Sequence, residues 1–305
     1  MKRTLIIWLL LLCGLGKLLS QHYPVYNQYL FSGLVINPAY TGSRDVLSVG
    51  MLYRNQWSEF EGSPINQTLS IHAPLKGDKV ALGLLVQNDK IGVNKTTGIF
   101  PNFAYRIFFN DNRNSKLSFG LKGGLVISNS AWDEIVTDEN DDVFSSPEHN
   151  FALPNFGSGI YFYNDVFYAG FSIPRFFSFY EDNGYTIKND FKRYNYMFTT
   201  GGLIVNTDAL KLKPSTLLKY EASSGFQADL NLNFIIMDKF WIGPAYRVKD
   251  AFVIITEFQI NNQIKVGYSY DYSFGDISKH LGGSHEITLI YDFSFKIEAA
   301  NPRYF

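Results

Sequence analysis

The chain has 305 residues and a formal net charge of −1, so it offers no basic surplus for a nucleic-acid partner. Its single cysteine, Cys13, lies in the N-terminal leader, which leaves the rest of the chain without a disulfide. Past that leader no run of about eighteen apolar residues exists, so no helix of this sequence spans a bilayer.

Residues 1–20 read as a signal peptide. Lys2 and Arg3 form its basic start, Leu5 to Leu12 its apolar stretch, and Ser20 the small residue before a cut that frees Gln21. Leu12 stands before Cys13 where lipid attachment wants a small residue, which argues against a lipoprotein. Residues 21–44 are expected to be an N-terminal periplasmic segment, containing the rigid turn Asn37-Pro38-Ala39-Tyr40-Thr41-Gly42.

From residue 45 the pattern becomes one of short alternating segments. They are expected at 45–57, 64–74, 79–87, 96–109, 115–129, 155–163, 166–175, 193–206, 210–222, 225–237, 239–248, 251–260, 263–274 and 284–296. In one, Phe226, Ala228, Leu230, Leu232 and Phe234 alternate with Gln227, Asp229, Asn231 and Asn233. A period of two puts apolar residues on one face of a strand and polar residues on the other. So many such segments, with 20 Tyr and 27 Phe, predict an all-β fold. The expected architecture is a single transmembrane antiparallel β-barrel of about 14 strands over residues 45–296, with lipid outside. Residues 297–305 form a C-terminal periplasmic tail in this reading. The rival fold is a soluble β-sandwich with its apolar faces turned inward.

Connector lengths separate the two folds. Short turns at 76–78, 110–114, 164–165, 206–209, 238 and 261–262 fall on one side, expected to be periplasmic. The longest connectors, 58–63, 88–95, 130–154, 176–192 and 275–283, fall on the other, as barrels require. An even strand count leaves both termini on the periplasmic side.

Few residues carry a chemical motif. The loop 131–154 holds Asp133, Glu134, Asp138, Glu139, Asp141 and Asp142 with no Lys or Arg. Calcium would find oxygen ligands there, but the EF-hand spacing fails at Val143 and His149. A solvated outer loop, compatible with partner docking, is the preferred reading, and no cofactor is expected. His285-Glu286 starts like a zincin motif, but Leu289 takes the second histidine position and the segment is a strand. His22, His72, His149 and His280 are scattered, and no nucleophile elbow or phosphate-binding loop appears. No catalytic residue is assigned, although a hydrolase assembled from several strands stays open. Arg54, Arg106, Lys122, Lys219, Asp229, Arg247, Glu257, Lys265 and Asp271 lie within strands and must face the lumen or the rims. Pairing that braces the barrel is preferred for them over the wall of a solute channel.

Several phrases then combine. Gln28-Tyr29-Leu30-Phe31 leads into Asn37-Pro38-Ala39-Tyr40-Thr41-Gly42, followed by Tyr53-Arg54-Asn55-Gln56-Trp57. Later come Trp241-Ile242-Gly243, Tyr246-Arg247, Gly267-Tyr268-Ser269-Tyr270-Asp271 and Gly283-Ser284-His285-Glu286. In this order the set resembles the PorP/SprF family of type IX secretion outer-membrane proteins. Arg193-Tyr194 departs from the His-Tyr pair common in the family. The resemblance implies a non-enzymatic barrel in the outer membrane of a Gram-negative cell. Its partners would be periplasmic and outer-membrane secretion components and a secreted adhesin-like client, exported or anchored at the cell surface. A general porin or solute channel is the alternative function. Asn37, Pro38, Ala39, Tyr40, Gly42, Arg54, Trp57, Trp241, Arg247, Gly267, Tyr268, Asp271, His285 and Glu286 read as structural signatures of the family. In that reading Asn37-Pro38 orients the N-terminal segment, Trp57 and Trp241 fit interface belts, and Gly267 lets strands pack closely.

Overall fold

Alternation in the sequence becomes a closed ring of strands in the computed structural model. It describes residues 26–293 except 30–31, 76, 110–113, 132–148, 182–184, 189–193, 223–224 and 275–281. The signal peptide, the tail 297–305 and the six acidic loop residues therefore lie outside the described residues. The first half of the wall holds β1 (Leu47–Asn55), β2 (Ile65–Pro74), β3 (Val80–Ile91), β4 (Asn94–Phe108), β5 (Lys116–Ser130), β6 (His149–Tyr163) and β7 (Phe167–Ile173). A separate hairpin, β8 (Ser178–Glu181) with β9 (Tyr185–Lys188), follows outside the ring. The wall resumes with β10 (Tyr196–Gly202), continued after a break by β11 (Val205–Asn206), then β12 (Leu210–Glu221) and β13 (Gly225–Ile236). It ends with β14 (Phe240–Arg247), β15 (Ala251–Gln259), β16 (Ile264–Ser273) and β17 (Ser284–Phe293).

Each strand pairs antiparallel with its neighbour. β1 also pairs with β17, and β10 bridges β7 to β12, so no edge of the ring stays open. The result is a closed antiparallel barrel of 14 strands, with β10 and β11 sharing one position. Closure gives each strand position of the wall a neighbour on both sides, which an apolar medium demands.

The two faces sort as the alternation predicts. Met51, Leu82, Phe103, Leu121, Phe171, Phe226, Ile254 and Leu289 stand exposed on the outside, Leu121 at 61%. Ser118, Arg106, Ser269 and Glu286 between them are buried inside. An exterior this apolar suits lipid, whereas a sandwich would hide it.

Two expected loops are shorter than predicted. The connector 88–95 shrinks to Gly92-Val93, because β3 runs on to Ile91 and β4 starts at Asn94. Likewise β6 begins at His149, so 149–154 is strand instead of loop. Polar residues such as Asp89, Lys90 and Lys95 hid these extensions. Beyond the bilayer a strand meets water on both faces, and its sequence need not alternate.

Candidate functional site

The described part of the segment 21–44 does not sit below the barrel; it lies inside it. Residues 26–29 and 32–44 are buried throughout, with Val35, Ala39, Gln28 and Thr41 fully so. Gly33–Ile36 makes one turn of helix, α1, and Pro38–Tyr40 a 3-10 turn capped by Asn37, whose side-chain oxygen accepts from the Ala39 amide. Proline at the first position of that turn costs no hydrogen bond, since its amide would have no partner there. The periplasmic placement expected of this segment thus gives way to a lumenal one, because polar groups around the whole ring bind it.

At one end of the lumen these groups form a charge-balanced cluster of Arg54, Arg247 and Lys219 with Asp229, Asp271 and Glu286. Arg54 pairs with Asp271 at 2.7 Å and with Glu286 at 3.3 Å. Arg247 reaches Asp229 at 3.2 Å and Asp271 at 3.4 Å, and Lys219 lies 3.8 Å from Asp229. Glu286 accepts from two successive amides of the segment, Asn27 at 3.0 Å and Gln28 at 2.8 Å. Asn27 also donates from its side chain to Asp271 and Ser269, and its oxygen accepts from Arg247 at 2.7 Å. Thr288 donates to Gln28 Oε1 at 2.6 Å. Bonds with an ionised partner are the strong kind, and every charge of the cluster but Lys219 has two or more partners.

Further along, Asn231 donates to the Tyr29 hydroxyl and Gln87 to the Tyr26 hydroxyl. Burial pushes the Tyr29 hydroxyl well above the usual tyrosine range, so it stays neutral. Ser172 donates to the Ile36 carbonyl, and Asn37 donates to the Ile160 carbonyl on the same side of the ring. Near the start of β1, the Gly42 amide donates to His72 Nδ1, and Arg106 donates to the Gly42 carbonyl and to Asp45. Arg44 closes the series with Asp292 at 2.8 Å.

Small residues of the wall make room for the segment. A Cβ on Gly120 would strike the backbone of Pro38 and Ala39, one on Gly159 would strike Asn37 Oδ1, and one on Gly267 would strike Gln28 Oε1. Gly267 therefore admits the segment as well as its strand neighbour Thr288, a wider role than close strand packing. Two cavities between segment and wall measure about 20 Å³ and 10 Å³, each the size of roughly one water.

All nine charged strand residues that the sequence sends inward are buried there. Eight have charged partners: the cluster above, Arg106 with Asp45, and Glu257 with Lys265 at 3.1 Å. Lys122 instead lies over the Phe100 ring at 4.7 Å. Among the family signatures, Asn37, Pro38, Ala39, Tyr40, Gly42, Arg54, Arg247, Gly267, Asp271 and Glu286 converge in the lumen. Tyr268 and His285 meet on the outer face of the wall at 2.8 Å, and Trp57 is half-buried in the turn after β1.

Trp241 corrects the expectation of an interface belt. It faces inward, 2% exposed, with Lys265 4.9 Å and Lys213 5.5 Å from its ring. The register of β14 decides this, since Phe240, Ile242 and Tyr246 take the outward positions. Sequence reasoning missed Gly120, Gly159, Asp292, Ser172 and Thr288 as partners of the segment. Their only signal is inward placement on a strand.

Among the described residues, no group of three or more His, Cys, Asp or Glu is arranged to hold a metal ion. The arrangement clamps a peptide segment of the chain against the inner wall.

Comparison with known proteins gives this barrel its family. Residues 18–291 match the family model described as type IX secretion system membrane protein PorP/SprF. The chain belongs to the PorP/SprF family. No curated protein sequence matches it. Similar solved structures include the KdgM porin at 12% identity and TM-score 0.41, covering 81% of this chain and 99% of that one. Acinetobacter baumannii Omp33 has 8% identity and TM-score 0.47, with 81% and 98% covered. A Pseudomonas aeruginosa FadL homologue has 12% identity and TM-score 0.47, with 89% and 95% covered. As a PorP/SprF barrel with an apolar exterior, the protein is an outer-membrane component of type IX secretion.

Proposed function

We propose that this PorP/SprF barrel is a non-enzymatic docking component that helps to secrete a large adhesin-like client or to anchor it at the cell surface. The observation that carries this reading is the occupied lumen. A barrel whose interior holds residues 26–29 and 32–44, with gaps the size of single waters beside Tyr29, Ile36 and Asn27 among the described residues, is built as a platform. A general porin needs that space for solute, which makes it the weaker reading. The client would meet the outer connectors 131–148 and 176–192, with Asp133, Glu134, Asp138, Glu139, Asp141 and Asp142 as its acidic surface. Periplasmic and outer-membrane secretion components would meet the opposite rim and the tail 297–305. This role needs no cofactor and no calcium.

Deleting the gene tests the proposal. The client should appear in the medium or stay inside the cell, and surface display should return when the gene is restored. Unchanged display in the deletion strain would sink it.

A further inference from the structure

We infer that the outer rim of β2 to β5 carries a binding site for the phosphate of an outer-leaflet lipid, with Lys90 and Lys95 as its cationic contacts. The site lies on the exterior of the wall and is independent of the docking role proposed above.

The outward residues of β2 to β5 form rungs whose chemistry changes toward the rim. Leu69, Val86, Ile99 and Leu125 stand side by side in register as an apolar rung. Two residues on, Asn88 lies beside Gln67 and donates to its side-chain oxygen at 3.4 Å. Two residues further, Lys90 stands opposite Lys95, and Lys95 opposite Asn129. The lysine rung is thus four residues beyond the apolar one, about 13 Å at ~3.3 Å per residue. The β5–β6 connector 131–148 leaves from this end, and long connectors mark the extracellular side of such barrels. Apolar, amide and cationic rungs follow the order of acyl chain, linker and phosphate in an outer-leaflet lipid. A free anion has no use for the apolar rung beneath, so lipid is the occupant that fits.

Two features make this rung a site. The first is charge. Like charges directly opposite each other across a ladder are destabilising. Lys90 and Lys95 are both exposed, and neither ammonium has a hydrogen-bond or ion-pair partner among the described residues. A phosphate between them turns that repulsion into two charged hydrogen bonds. The second is shape. Tyr53, Gln67, Asn88, Lys90, Lys95 and Asn129 line a groove of about 490 Å³, the size of a small-molecule site. Asn88 Oδ1 is buried beside it without a hydrogen-bond partner, an acceptor for a headgroup hydroxyl or amide. The other half of the wall differs. At the same end Tyr220 stands opposite Phe226, and Phe252 lies between Tyr246 and Tyr272, all exposed rings suited to an interface belt.

Native mass spectrometry of the intact barrel in mild detergent tests the site. The probes are phosphorylated lipid A, dephosphorylated lipid A and inorganic phosphate. The native protein is expected to hold phosphorylated lipid A and to hold the dephosphorylated form far more weakly. The double variant Lys90→Gln/Lys95→Gln should weaken the first by about tenfold or more, the scale of one lost charged hydrogen bond. The variant Lys90→Arg/Lys95→Arg should keep it. Heat-modifiable migration on gels reports that each variant is folded, and the single variant Lys95→Gln stands in should the double one fail. Equal binding of phosphorylated lipid A by the native and glutamine proteins overturns the inference, and so does equal binding of the two lipids. Binding of inorganic phosphate without the lipid overturns it as well, because the rung then serves a free anion.

Discussion

Asp271 shows how much one residue can hold together. Its carboxylate serves Arg54 and Arg247 from two strands and the Asn27 side chain from the lumen segment, all with almost no access to solvent. Removing one member of a buried charged group leaves the others uncompensated, which costs about 3–5 kcal/mol. The Asp271→Asn variant is therefore expected to lower the urea midpoint of the folded barrel in detergent, followed by its heat-modifiable migration on gels. A midpoint equal to that of the native protein would mean the cluster contributes little. Trp241 makes a second point at this scale. A tryptophan in a barrel strand suits either an aromatic belt or a lumen cation, and only parity with Phe240 and Ile242 separates the two.

At the scale of elements, the lumen segment and the wall fit through missing side chains. Gly120 on β5 gives up its side-chain volume to the 3-10 turn Pro38–Tyr40, where a Cβ would meet the Pro38 and Ala39 backbone. Overpacking of this sort costs about 1–3 kcal/mol. Gly120→Val should push the turn off the wall without breaking a ladder, because Gly120 keeps its strand partners Ala104 and Gly159. The expected readout is proteolysis within the segment of the folded, detergent-solubilised barrel, at a protease dose that leaves the native chain uncut. Equal resistance of the two proteins would show that the turn adapts in place. The strands themselves were largely legible beforehand, since all fourteen expected segments overlap a strand of the ring. Misjudged ends, as at 88–95 and 149–154, occur where the wall leaves the bilayer and the demand for alternation lapses.

The whole molecule is a barrel with its polarity reversed relative to a soluble protein. Its outward face carries apolar residues such as Leu121, Phe103 and Leu289, while the charges are enclosed. Replacing Leu121 by Arg should destabilise the inserted barrel by ~2–4 kcal/mol if the site lies near the bilayer midplane, less toward a rim. Urea titration of refolding into lipid vesicles measures this directly, and a shift within error would place Leu121 in the headgroup region.

By itself the sequence determined the compartment, the approximate positions of the strands and the inward placement of the charged strand residues, though not that of Trp241. Those properties are local, because alternation is written into neighbouring residues and the bilayer imposes it strand by strand. Only the tertiary structure decided where residues 26–29 and 32–44 go, which charges pair and why Gly120 and Gly267 are small. Asn27 and Glu286 stand 259 residues apart in the chain. Their contact exists because the ring closes β1 against β17 and brings both to one end of the lumen, a distance no periodicity encodes.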